Sequence, residues 1–436
     1  MEIVADLHLH SKYSRAVSPQ MIVPEMIKWA KIKGINLLGT GDFTHPLWFS
    51  ELRGYLEENE GVLQPKEKEL GDIKFLLTTE ISSIYSQGGK TRKIHNLVIA
   101  PSFATVEKIN AEFKKRGCNL ISDGRPIVGL SAKEVADLVL SVDENCLLVP
   151  CHVWTPWFSL YGANSGFDAL EECFGELSRY IPAIETGLSS DPEMNWQIAD
   201  LDSRSIVSFS DAHSPSKLGR EATVLEIPDI KILRYKDIME ALLGSKGIKY
   251  TIEFYPEEGK YHYTGHRNCQ VVQSPEETEK KGTTCTICGK RLTVGVMERV
   301  RKLSRGVAEV EEKVDEFGTK WLKKEKRPPF VRLVPFTEII AESLGVGESS
   351  VSVVREYQNL TEKLGDEIGI LMRCDLEKIA GIGGERLAEG VSKVRSGDIF
   401  IKPGFDGEYG KVKVWPTSAE ASGEKEISKK EQMSLF

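Results

Sequence analysis

Ile3-Val4-Ala5-Asp6-Leu7-His8-Leu9-His10 opens the chain as a strand in which polar and apolar positions alternate toward its end. A period of two puts His8 and His10 on one face and sends Leu7 and Leu9 to the other. The pattern returns in Asp211-Ala212-His213, which ends the strand-like Ile206-Val207-Ser208-Phe209. Further stretches set ligand-type residues beside apolar runs. Asp42-Phe43-Thr44-His45 follows Ile35-Asn36-Leu37-Leu38, and Glu80 follows Phe75-Leu76-Leu77. His95 precedes Asn96-Leu97-Val98-Ile99, and His152 follows Leu147-Leu148-Val149. Six of the eight histidines of the chain fall in these motifs. Imidazole and carboxylate are preferred donors for zinc, manganese and iron. A single strand histidine is more often packing than ligand. The joint set His8, His10, Asp42, His45, Glu80, His95, His152, Asp211 and His213 reads instead as one metal centre. These residues sit at or near strand edges, and an α/β barrel keeps its active site at the carboxyl ends of its strands.

Strand-like runs alternate with helix-like ones at 24–33, 105–116, 131–142 and 237–243. That rhythm argues for an α/β fold with a parallel sheet or barrel. Taken with the ligand strings, it resembles the polymerase and histidinol phosphatase (PHP) superfamily over the amino-terminal half. The resemblance implies a PHP-type distorted (β/α)7 barrel that holds two or three divalent ions (zinc, manganese or magnesium) and cleaves phosphoesters. In that family the Asp and His of the second motif are usually adjacent; here Phe43 and Thr44 separate Asp42 from His45. Ions held there would lower the pKa of a bound water and clamp the scissile phosphate. Glu80 is the candidate bridging carboxylate, and Glu80, Asp191 and Asp211 are the candidate catalytic acids. Asp191 is included because Ser189-Ser190-Asp191-Pro192 follows the strand end Ala183-Ile184-Glu185-Thr186-Gly187; Glu185 is a further acid able to orient a ligand.

The 436 residues exceed one typical domain. The spacing predicts a barrel over 1–255, a zinc knuckle over 256–295, a mainly helical carboxyl-terminal domain over 296–416 and a polar tail over 417–436. Net charge of −8 argues against non-specific coating of nucleic acid but permits a local basic groove. No apolar run is long enough to span a bilayer. The amino terminus, with Glu2 and Asp6, does not read as a signal peptide. Cytoplasmic, nucleoid-associated residence is the expectation. His266-Arg267-Asn268-Cys269 and Cys285-Thr286-Ile287-Cys288-Gly289 are separated by fifteen residues. His266, Cys269, Cys285 and Cys288 thereby match a tetrahedral structural zinc site. Cys118, Cys146, Cys151, Cys173 and Cys374 have no motif and read as small apolar fillers.

Residues 298–322 are charged and helical in character, and 336–342 and 349–364 read as helices. Residues 376–388 loosely resemble a helix-hairpin-helix DNA motif, whose Gly-rich turn offers N–H groups to phosphate. Trp154, Trp157, Phe158 and Tyr161 crowd the segment directly after His152. Aromatic faces there suit stacking on a base or a wedge in a duplex; the alternative is ordinary core packing. Lys12 and Arg15 are placed to meet phosphate oxygens. Across nearly the whole length the chain is similar to the endonuclease Q family. That similarity implies nicking of damaged double- or single-stranded DNA on the 5′ side of uracil, hypoxanthine, xanthine or an abasic site. A phosphatase of a small phosphomonoester and a non-catalytic repair adaptor are the alternatives. Gln432-Met433-Ser434-Leu435-Phe436 resembles the first half of a box that binds a PCNA-type sliding clamp, with Gln432, Leu435 and Phe436 as its anchors.

Overall fold

The strand Glu2–Asp6 lies inside a thirteen-stranded mixed sheet of the computed structural model, which describes residues 1–243 and 247–416. It runs parallel to Leu37–Gly39, and that strand runs parallel to Lys74–Gln87. From Leu77 onward Lys74–Gln87 pairs antiparallel with Lys90–Ala100, which pairs antiparallel with Leu147–Pro150. Ala183–Glu185 and Ser205–Val207 form a parallel pair of their own. A bridge from Leu9 to Ala212 then ties the end of that region back to the first strand. Most of the motifs noted above therefore meet at one end of this succession.

Four of the amino-terminal helices form where the apolar spacing places them: Val23–Lys33, Phe103–Lys115, Ala132–Val142 and Tyr235–Leu243. Ser131 and Glu134 make a reciprocal capping box that starts the third. Val135, Ala136, Leu138 and Val139 on that helix are buried. Among the described residues no helix is long and apolar enough to cross a membrane.

The sheet continues past Ala222–Glu226 through Ile248–Glu253, Phe330–Arg332, Lys320–Lys323 and Glu311–Val314. Here the structure departs from the sequence reading. The helix Val296–Leu303 covers only the start of the stretch 298–322, which then runs through an irregular segment into a hairpin of Glu311–Val314 and Lys320–Lys323. The turn decides this. Asp315 accepts from the N–H groups of Phe317 and Thr319, at 2.9 Å each, and Gly318 adopts a left-handed φ of 81°. Strands from both sides of residue 255 consequently share one sheet.

Five helices follow: Phe336–Leu344, Val351–Leu364, Glu367–Arg373, Leu376–Gly383 and Glu385–Ser396. The last two meet at Gly384, while Gly381-Ile382-Gly383, the Gly-x-Gly of the helix-hairpin-helix likeness, lies within the helix before it. A ribbon of Phe400–Lys402 and Lys411–Lys413 closes the described chain. A buried ion pair fastens these helices to the first part. Lys33 Nζ lies 2.6 Å from Glu367 Oε2, and the Tyr357 hydroxyl donates to the same oxygen at 2.5 Å. Removing one partner of a buried pair strands the other charge. Lys33→Met should therefore lower stability by about 3–5 kcal/mol. Lys33→Met with Glu367→Met should recover much of the loss, as read by denaturant melts.

Candidate metal centre and adjoining cleft

Glu80 stands in the middle of the long strand Lys74–Gln87, with its side chain fully buried. Its Oε2 lies 3.2 Å from His10 Nε2 and 3.7 Å from His8 Nε2. Its Oε1 lies 2.5 Å from His95 Nδ1 and 3.3 Å from His152 Nε2. Asp211 Oδ1 completes the first side, 3.2 Å from His10 Nε2 and 3.8 Å from His8 Nε2. One carboxylate thus separates two donor sets, His8/His10/Asp211 and His95/His152, and touches both. In each set with Glu80 or Asp211, three donor atoms lie within 4.8 Å of one another.

The imidazoles are held by their outer nitrogens. His8 Nδ1 donates to Glu185 at 2.9 Å, and His10 Nδ1 donates to Asp42 at 3.0 Å. His95 Nε2 pairs with the Ser82 hydroxyl at 3.0 Å. These bonds fix the rings and leave the inner nitrogens with lone pairs facing one another, the arrangement that metal-binding histidines use. His8 Nε2, His10 Nε2, His95 Nδ1 and Asp211 Oδ1 are buried and make no hydrogen bond. Orphaned buried acceptors of this kind are expensive, and divalent cations suit them. The electrostatics agree. Burial opposes charge on His8 and His10, yet Glu185 beside one and Asp42 beside the other outweigh it and raise both well above the ordinary range. Burial likewise opposes charge on Glu80, but His95, Arg125 and further donors hold its carboxyl well below the usual range. Positive charge is thus favoured at His8 and His10, whereas burial pulls the His95 imidazole down to about 4.

The backbone is strained where it delivers these groups. Asp42, His152 and Asp211 have positive φ of 48°, 30° and 47°. Such residues cost about 1–3 kcal/mol each and gather at functional sites. Gly187, at φ 62°, packs so closely on His152 that a Cβ would lie 2.3 Å from the histidine Cβ.

Several expected ligands are placed differently. His45 is outside the cluster: it caps the helix Pro46–Tyr55, its Nε2 meets the Ile121 carbonyl at 3.1 Å, and its ring stacks on Tyr13. The two residues between Asp42 and His45 turn the chain into that helix and carry the imidazole away. Asp42 orients His10; its second oxygen is taken by the Ser11 and Ser14 hydroxyls and the Ser11 N–H. His213 packs edge-on against His10, with ring centroids 4.8 Å apart, at the rim. Asp191 is not at the centre. It caps the helix Pro192–Asn195 and pairs with Arg332 of the strand Phe330–Arg332 at 2.5 Å. Trp154 and Tyr161 are core residues, stacked on each other and fully buried, with Trp154 Nε1 donating to Asn195 and the Tyr161 hydroxyl to Asp200. Lys12 is engaged by Glu51 at 2.9 Å.

Beside the centre opens a cleft of about 710 Å³, lined in part by Arg15, His95, Arg125, Trp157, Phe158 and Tyr261. Trp157 is 37% exposed and meets Tyr261 edge-on at 5.4 Å, while Phe158 lies 4.8 Å from the His95 ring. Arg125 is the residue that sequence reasoning missed. Its guanidinium meets Glu80 Oε2 at 3.0 Å and faces the same cleft. Nothing in Asp123-Gly124-Arg125-Pro126 marks it, because the contact spans forty-five positions. Away from this region, donor atoms of His266, Cys269, Cys285 and Cys288 lie within 4.8 Å of one another. The Cys285 thiol is pulled down to about 6, first by the Cys288 N–H and also by that of Ile287. Gln432, Leu435 and Phe436 lie outside the described residues.

Residues 335–398 match the family model described as the MJ0043 C-terminal domain. The uncharacterized protein MJ0043 of Methanocaldococcus jannaschii is 32% identical over 272 residues, which is 61% of this chain and 32% of that protein. The chain thus spans about a third of the length of this curated relative. A crystal structure of the lesion-specific endonuclease PfuEndoQ from Pyrococcus furiosus superposes at a TM-score of 0.80, with 30% identity over 100% of both chains. The chain belongs to the endonuclease Q family. A second structure of the family, an endonuclease Q complex with a 27-mer duplex carrying an abasic lesion at its active site, matches at 0.80 and 32% identity. That match covers 98% of this chain and 100% of the other.

The two aromatic environments predict opposite behaviour. Trp154→Ala should cost about 3–5 kcal/mol of stability, the toll of emptying a packed core position. Trp157→Ala should shift a thermal melt far less, and its effect should appear in ligand binding at the cleft.

Proposed function

We propose that this chain is a metal-dependent repair endonuclease. It hydrolyses the phosphodiester bond 5′ to deaminated bases (uracil, hypoxanthine, xanthine) and abasic sites, in double- or single-stranded DNA. Membership of the endonuclease Q family supports the reaction class. The observation that carries it within this chain is Glu80, buried between two sets of inward-facing donors beside an open cleft. His8, His10, Asp211, Glu80, His95 and His152 are the proposed ligands, with His213 at the rim. Divalent ions there would supply an activated water and neutralise charge on the scissile phosphate. Arg125 is placed to meet a phosphate oxygen while holding Glu80 in register. Arg15, 72% exposed at the cleft edge with its Nε 3.4 Å from Asp123 Oδ2, is a proposed contact for the backbone of the strand. Trp157, Phe158 and Tyr261 offer aromatic faces to a displaced base. Extrusion of a nucleotide costs a few kcal/mol, less for a mispaired base, which favours uracil opposite guanine.

The seven strands from Glu2–Asp6 to Ser205–Val207, with the Leu9–Ala212 bridge, support a PHP-type distorted barrel as the scaffold. His266, Cys269, Cys285 and Cys288 form a structural zinc knuckle in this reading, and the tail from Gln432 to Phe436 recruits a sliding clamp. The three thiols and one imidazole match a closed zinc site in donor type and spacing.

A nicking assay on duplexes carrying one uracil or one abasic site tests the reaction. Wild type should cut 5′ to the lesion with manganese or magnesium and not after chelation. His8→Ala and Asp211→Ala should lower the rate at least a thousandfold, on the order expected for loss of electrostatic catalysis, while lesion binding stays measurable. Wild-type rates in either variant would reject the assignment. Cys285→Ser should lose zinc by elemental analysis and lower the melting temperature, because binding at a structural site is folding free energy.

A further inference from the structure

Cys151 immediately follows the strand Leu147–Pro150 and is fully buried. The sequence reading makes it an apolar filler, and it does belong to the cluster that contains Leu7, Val149 and Phe209. Its N–H donates to the His95 carbonyl at 3.0 Å, which fixes its place directly before His152. The thiol, however, does not face apolar groups alone. One donor atom each from Cys151, His8 and Glu80 lie within 4.8 Å of one another. His8 Nδ1 is taken by Glu185, while His8 Nε2 is buried and makes no hydrogen bond, so one nitrogen of the imidazole beside the thiol is unpaired. Among the described residues, Cys118, Cys146, Cys173 and Cys374 enter no such group.

We propose that Cys151 gives the metal centre a sulfur donor beside His8 and Glu80, and that this donor biases the centre toward zinc, cobalt or iron over magnesium and manganese. The proposal rests on the metal-centre reading above. The remaining donors are imidazole nitrogen and carboxylate oxygen, which accept hard and borderline ions alike. A thiolate selects the softer ones. On coordination the thiol loses its proton to the medium, as ligating cysteines do. Complete burial removes the main alternative use of a cysteine here, reversible oxidation, which needs exposure. The consequence is a nuclease whose tightest-bound ion is set by a residue from the barrel interior rather than from the nine-residue ligand pattern.

The test uses the full chain with zinc in the knuckle, confirmed by elemental analysis, after mild chelation has emptied the centre and cobalt has refilled it. Wild type should show a near-ultraviolet thiolate-to-cobalt charge-transfer band. Cys151→Ser and Cys151→Ala should lack it while keeping the visible cobalt bands of the nitrogen and oxygen donors. Any cobalt taken up by the knuckle adds equally to all three proteins and cancels in the difference. Cobalt-edge X-ray absorption of the wild type needs no variant to fold, and should show a sulfur neighbour at about 2.3 Å. In competition titrations, Cys151→Ala should lower the preference for zinc over manganese by at least about tenfold. Identical near-ultraviolet spectra in all proteins, with no sulfur neighbour, would overturn the proposal and leave the metal centre standing. Cobalt uptake unchanged by His8→Ala would instead remove the metal centre, and this proposal with it.

Discussion

A fully buried carboxylate has to be compensated, and in this protein most of the functional architecture follows from how Glu80 is compensated. Desolvating an ion costs several kcal/mol even after relaxation. Glu80 meets that cost with Arg125 and four imidazoles reaching it from three other parts of the sheet. Those imidazoles are themselves tied down by Glu185, Asp42 and Ser82. The network is therefore rigid in its outer bonds and unsatisfied in its inner ones. A site of that kind is pre-formed for cations, and it stores the asymmetry in backbone strain at Asp42, His152 and Asp211.

The same logic connects the site to the rest of the molecule. Two further ion pairs that sequence patterns do not show join later segments to the amino-terminal part. Arg332 reaches back from beyond the knuckle to Asp191, and Lys33 reaches Glu367 among the carboxyl-terminal helices. Tyr261, from the segment before the knuckle, helps to wall the cleft opposite Trp157. A substrate in that cleft would touch residues from both sides of the expected boundary at 255. That is how sequence-distant parts of the chain can act on one nucleotide.

Much of this was legible in the sequence, for identifiable reasons. The period-two spacing of His8 and His10 and the polar ends of apolar runs located the donors, because strand geometry maps directly onto sequence. The grouping of His266, Cys269, Cys285 and Cys288 was legible because these residues are local in sequence. What spacing cannot show is where a side chain turns after its strand ends. His45 and Asp191 have the right residue types but cap helices, and Trp154 and Tyr161 have the right neighbours but point into the core. Arg125 and Cys151 carried no motif, because their partners are distant in sequence or lie across the sheet. The hairpin at 311–323 was hidden by a charged composition that suits helices and exposed strands alike.

The central claim is that Glu80 couples the two donor sets through one carboxylate. Glu80→Gln keeps the shape and the hydrogen-bonding capacity but removes the charge that both sets share. Metal content and affinity, measured by elemental analysis and calorimetric titration of the folded variant against wild type, test the claim directly. The account predicts that ions bound by His8/His10/Asp211 and by His95/His152 are weakened together. Selective loss from one set, or unchanged binding at both, would contradict it.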